Sequence, residues 1–133
     1  MTQCLLLKTE NQGVGGNGKF MGNETRGLEL FCGGGGTEVH LHSKSLYQIG
    51  GWTQVLQTWD GEMLKLYING ILDTKIKAPG PLATGDSPVI IGRLGAYAFI
   101  GSMDDVRIYN RALSSEEIKA LYTLEHFQKP KEK

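Results

Sequence analysis

Two dipeptides, Asp60–Gly61 and Asn69–Gly70, constrain this chain more than any other feature, because both sit inside the run WTQVLQTWDGEMLKLYINGILDTKIK over 52–77. Asp–Gly and Asn–Gly tolerate the positive φ that tight hairpin turns demand, and apolar or β-branched runs flank both. The pattern predicts three strands in a meander, at about 52–59, 63–68 and 72–77. The second turn permits a register test. A two-residue Asn–Gly loop sets Asp73 opposite Leu66, whereas a three-residue loop over 69–71 sets Leu72, Thr74 and Ile76 opposite Ile68, Leu66 and Leu64. The longer loop keeps one apolar face intact and is the preferred reading.

Upstream, 4–8 and 27–32 read as strands flanking a long glycine-rich polar loop at 9–26. EVHLH at 38–42 alternates, with Val39 and Leu41 on one face and Glu38, His40 and His42 on the other. Downstream, APGPLATGDSP at 78–88 is a loop, since its prolines cannot serve a central ladder. Short strands at 89–92 and 97–101 follow, then an alternating strand at 103–109. Ser114-Ser115-Glu116-Glu117 matches a capping box, in which a serine and a glutamate three residues on satisfy each other's backbone amides. The helix it opens, about 115–122, carries Leu113, Ile118, Leu121 and Tyr122 as an apolar stripe and is too short to stand without docking on a sheet. Short strands with turn signals about every ten residues imply an all-β, antiparallel two-sheet jelly-roll sandwich with one C-terminal helix.

The length, 133 residues, is enough for one domain with its own core, read as 1–124 followed by a charged tail at 125–133. Glycine, 19 of the 133, is well above the usual ~7% and fits many turns. Fourteen basic against fourteen acidic residues leave no basic stripe, which argues against nucleic acid and anionic membranes as partners. No apolar run reaches the ~20 residues of a membrane span, and the start MTQCLLLKTE lacks the basic segment of a secretory signal. Of the two cysteines, Cys4 faces Cys32 if 4–8 and 28–32 pair directly with Leu6 opposite Leu30. A disulfide is then within reach, although two buried thiols are the preferred reading.

GGWTQVLQTWDGEMLKLYINGIL, followed by VIIGR and then FIGSMDDVRIYNRALSSEEIKALY, resembles the laminin G-like, concanavalin A-like jelly-roll domain. The likeness is strong over about 50–124 and looser over 4–42. Related domains often hold a structural calcium on the Asp-Asp-Val strand, so the resemblance implies one ion at Asp104 or Asp105, although the preferred reading has one aspartate capping a loop or pairing with Arg107 or Arg93 and the other solvated. It also implies an extracellular or cell-surface setting. Members usually begin with one or two further strands before the position of Leu5, and their absence here would leave an open sheet edge on which a second copy could pair as a homodimer. Gln57 stands where the family shows an apolar residue, and needs a partner or a wet face.

Other chemistry is thinner. Glu38, His40 and His42 could share a transition metal, but no second ligand cluster accompanies them, so a polar strand face is preferred. GVGGNG at 13–18 fits a dinucleotide loop only on paper, since no helix follows it. No strand carries the alternating carboxylates of a glycosidase. Asn23-Glu24-Thr25 is a glycosylation pattern, more often coincidence. The expected function is a non-catalytic module that binds carbohydrate or a glycosylated surface, with His40, His42, Trp59, Arg93 and Tyr97 as candidates and Trp52 in the core. The alternative is an assembly module that self-associates through the open edge and takes no small ligand.

Overall fold

A computed structural model describes residues 2–9, 18–24, 27–34, 37–45, 50–78, 89–94 and 97–128. The described chain is mostly β, with antiparallel sheets and one helix. Its elements are β1 (Thr2–Thr9), β2 (Gly18–Glu24), β3 (Gly27–Gly34), β4 (Thr37–His42), β5 (Val55–Trp59), β6 (Met63–Ile68), β7 (Ile71–Lys77), β8 (Ile90–Ile91), β9 (Arg93–Leu94), β10 (Tyr97–Ala98) and α1 (Ser115–Gln128). A five-stranded sheet runs in the order β4-β3-β2-β1-β8, a three-stranded sheet in the order β5-β6-β7, and β9 with β10 makes a small ladder. No helix among the described residues is long and apolar enough to cross a membrane.

The meander forms as its turns require. Asn69 and Gly70 both take positive φ, 51° and 77°, the signature of a two-residue primed turn closed by Ile68 opposite Ile71. Asn69 then clamps the start of β5: its N–H donates to Gln54 O at 2.9 Å, and its Oδ1 accepts from Gln54 N at 2.9 Å. At the first turn Gly61 supplies the positive φ, 103°, and Asp60 Oδ1 accepts from the amides of Glu62 and Met63 at 3.0 and 2.8 Å. Those two donors hold the Asp60 carboxyl below its usual range.

The expected pairing holds at Leu66 and Leu64 but not at Ile68, which faces Ile71 instead of Leu72, and it is reached by a different device. The loop after β6 has two residues, not three, so Tyr67 faces Leu72; a bulge then absorbs Asp73, and Leu66 faces Thr74 while Leu64 faces Ile76. The bulge restores the apolar face that an uninterrupted two-residue turn would have flipped. It also points Asp73 at the end of β4, where its carboxylate accepts from the amides of Lys44 and Ser45 at 2.7 and 3.0 Å. One extra residue thus both corrects the register and ties the three-stranded sheet to the edge of the five-stranded one.

The described core is a cluster that joins residues of β4 to residues of β5 and β6. Leu64 and Leu66 are wholly buried and pack with Leu41 and Ala78, joined by Val39, Val55, Trp59 and Ile68. Gln57, between Val55 and Trp59 on β5, is half-buried opposite Leu66. At the other end of the chain, Ile118 is wholly buried and Tyr122 lies over Gly70, so α1 docks on the β6–β7 turn.

Five expectations need correction. Residues 18–24 are not loop but β2, which lies between β1 and β3. Cys4 is therefore opposite Gly22, and Cys32 opposite Lys19 and Val39. Two interstrand spacings of ~4.8 Å separate β1 from β3, which already exceeds the Cα–Cα reach of a disulfide. Residues 103–109 are not a strand: Asp105 at φ 53° leaves the extended region, and the segment joins no ladder with a described strand. Trp52 is not in the core but 37% exposed. The helix runs to Gln128 rather than 122, because packing of Ile118 and Tyr122 sustains turns that propensity alone would not. The loop at 79–88 and the GVGGN of GVGGNG, at 13–17, lie outside the described residues.

Candidate functional site

Side chains on a strand alternate between faces, and β4 uses this cleanly. Leu41 is buried and Val39 half-buried in the core, while His40 and His42 are exposed on the far side. The register carries that outer face across the sheet. His40 is opposite Phe31, and Phe31 is opposite Phe20; His42 is opposite Glu29, and Glu29 is opposite Gly22. Directly opposed residues share a face, so positions 20, 31 and 40 form one row and 22, 29 and 42 the next. The rows combine two aromatic positions, a glutamate position, two histidines and a glycine.

The five ligand candidates do not gather in one place. His40 and His42 are neighbours on β4. Trp59 belongs to β5 in the other sheet, packs half-buried against the core, and donates its indole N–H to Ala78 O at 2.7 Å, which gives it a structural task. Arg93 and Tyr97 sit together in the β9–β10 ladder, with Arg93 opposite Ala98 and Tyr97 opposite Leu94. Phe20, Phe31 and Glu29 escaped the sequence reading, because a row across three strands exists only once β2 is recognised. The available signal was Lys19-Phe20-Met21 between two glycines, a short strand-like core inside a stretch otherwise coloured as loop.

Asp104 and Asp105 are both exposed, and Asp104 Oδ1 accepts the amide N–H of Asp105 at 2.8 Å. Among the described residues no group of three or more His, Cys, Asp or Glu gathers. Calcium asks for six to eight oxygens and zinc for four ligands, so neither the aspartate pair nor the two histidines completes a metal shell from described side chains.

The helix entrance is the strongest charged cluster described. Ser114 Oγ accepts from Glu117 N, and Glu117 Oε1 accepts from Ser114 N, both at 3.1 Å, as a capping box requires. Arg111 adds a fork on the same carboxylate at 2.9 and 2.6 Å. That guanidinium first, and the Ser114 amide second, lower the Glu117 pKa from 4.5 to about 2. A carboxylate depressed in the fold stabilises it while ionised, and the gain is lost as pH falls through the folded value. Helix anchoring is therefore expected to hold above pH 4.5 and to weaken between there and about pH 2. A melting series against pH, followed by helical circular dichroism, checks this; Glu117→Gln should flatten the acid limb, and an unchanged limb would show that the pair is idle.

A laminin G family model, described as the concanavalin A-like lectin/glucanases superfamily, matches residues 6–119. A solved structure of an S-layer domain-containing protein from Clostridium thermocellum is similar at 25% identity and a TM-score of 0.46, over 91% of this chain and 63% of that one. The chain thus spans less than two thirds of that structure. No curated protein matches.

Proposed function

Because the chain belongs to the concanavalin A-like lectin/glucanases superfamily, we propose that it is a non-catalytic carbohydrate-binding module, built as a two-sheet jelly-roll sandwich. The ligand lies on the outer face of β2, β3 and β4. The observation that carries this reading is the row Phe20–Phe31–His40 beside Gly22–Glu29–His42. Sugar rings offer an apolar C–H face and a rim of hydroxyls. Aromatic positions serve the first, while carboxylate and imidazole serve the second, in a shallow pre-formed site. His40 and His42 are the exposed members of that face, while Val39 and Leu41 hold the other face of β4 against the core.

The test is a glycan array followed by titration calorimetry with the best hit, with and without added calcium. His40→Ala together with His42→Ala is expected to weaken binding ~10-fold or more, the loss of one or two well-placed hydrogen bonds, with circular dichroism checking that the fold is kept. Binding to no glycan, or binding indifferent to both histidines, would remove the proposal. Trp59→Phe is the control, since it deletes the indole donor to Ala78 and should cost stability rather than affinity.

A further inference from the structure

The five-stranded sheet sorts its charge by face. Directly opposed residues share a face, so the ladders extend the row of His40, Phe31 and Phe20 to Leu7 and Ile90. The same ladders give the other face Val39, Cys32, Lys19 and Lys8, and Val39 packs against the core cluster, which marks that face as the inner one. At the described strand positions the outer face holds three glutamates, Glu24, Glu29 and Glu38, and no lysine or arginine. Lys8 and Lys19 stand opposite each other on the inner face.

The glutamates flank the aromatic row. Glu29 is two residues from Phe31 along β3, and Glu38 is two residues from His40 along β4, so one glutamate position lies in the row on either side. Gly22 shares the first flanking row and Gly33 the second. Two residues of strand span ~7 Å, less than the ~8 Å over which physiological salt screens a charge. An anion resting on the aromatic row is therefore repelled by both Glu29 and Glu38, while Glu24, one row further out, adds little. Hydrogen bonding acts in the same direction. A sugar hydroxyl can turn its proton towards a carboxylate, whereas a uronate or sulfate in its place only accepts. Glu29 and Glu38 are also ~14 Å apart along and across the strands, too far to share a calcium ion that would turn the face towards anions.

We infer that the outer face of β2, β3 and β4 selects an uncharged glycan and rejects uronate-bearing, sialylated and sulfated ones, a selectivity that rests on the carbohydrate reading of that face. Like charges set against a wrong partner are a means of specificity in their own right.

The test prints linear glucose, mannose, galactose and N-acetylglucosamine chains beside the same chains oxidised at C6 to the uronate. The best pair is then followed by titration calorimetry at about pH 8, where an ordinary imidazole is uncharged. At low salt the uncharged chain should bind ~10-fold or more tighter than its uronate. That ratio should shrink at least ~3-fold at about 1 M salt, where the screening length falls to ~3 Å. Glu29→Gln with Glu38→Gln should shrink it at low salt, and Glu38→Gln alone should give part of the effect. The ratio is the readout because a loss common to both ligands, or a partly unfolded fraction, cancels from it. A uronate that binds as well as its parent, or a preference that neither salt nor the glutamine variants move, would overturn the selectivity and leave the carbohydrate reading standing. Binding of neither form would remove both.

Discussion

Leu66→Ala is expected to destabilise the protein by about 3–5 kcal/mol, the usual range for a leucine truncated where neighbours cannot close the cavity. Leu66 is wholly buried and packs in the cluster of Leu41, Leu64 and Ala78. Leu41 comes from one sheet and Leu64 from the other, each tied into its own ladder, so collapse around the hole would have to drag a strand with it. Domains of this size are stable by only ~5–15 kcal/mol, so a loss of this size removes a large share of the total. Urea unfolding measures the effect as a lower midpoint at unchanged slope. Ile71→Ala, at a side chain 72% exposed, should change stability by less than about 0.5 kcal/mol. Equal costs at the two positions would mean that β4 and β6 do not share a core.

Gly70→Ala is the second large effect, expected at about 2–3 kcal/mol. Two causes add. At φ 77° an L side chain pays roughly 1–2 kcal/mol for the left-handed conformation. A Cβ there would also stand 3.0 Å from Tyr122 Cβ and 3.2 Å from two of its ring carbons, and real Cβ atoms rarely come so near. The ring has to lift, which costs about another 1 kcal/mol of packing between α1 and the turn. Gly61→Ala isolates the first cause, because Gly61 also has a positive φ, 103°, but nothing lies within 4 Å of its Cβ position. Adding Tyr122→Ala to Gly70→Ala should recover part of the loss, less than additive in a double-mutant cycle. If Gly70→Ala costs no more than Gly61→Ala, the helix does not seat on this turn.

The hairpins and the helix cap were legible because their causes are local. Asn–Gly at 69–70 bends the chain the same way wherever it stands, and Ser114 with Glu117 closes a ring within four residues. The resemblance found in the sequence was equally secure, since it rests on that same local punctuation and the family match covers it. β2 was missed because Gly18 and Gly22 lower its strand propensity, and its order comes from ladders on both sides, with β1 and with β3. The candidate face suffered the same way: His40 and His42 could be read from EVHLH, but Phe20, Phe31 and Glu29 belong to it only through register.

The sequence by itself determined the β class, the two turn positions, the inward side of β4 and the helix start, all set by φ preferences, period-two alternation and contacts a few residues apart. Tertiary structure decided the rest. It placed a bulge at Asp73, because only there could the apolar face of β7 be realigned and the amides of Lys44 and Ser45 be met together. It sent Trp59 rather than Trp52 towards the core, because Ala78 offered the indole a carbonyl. It also left 103–109 without a ladder to any described strand, despite strand-like alternation, because a strand is completed by its neighbour and its own residues cannot supply one.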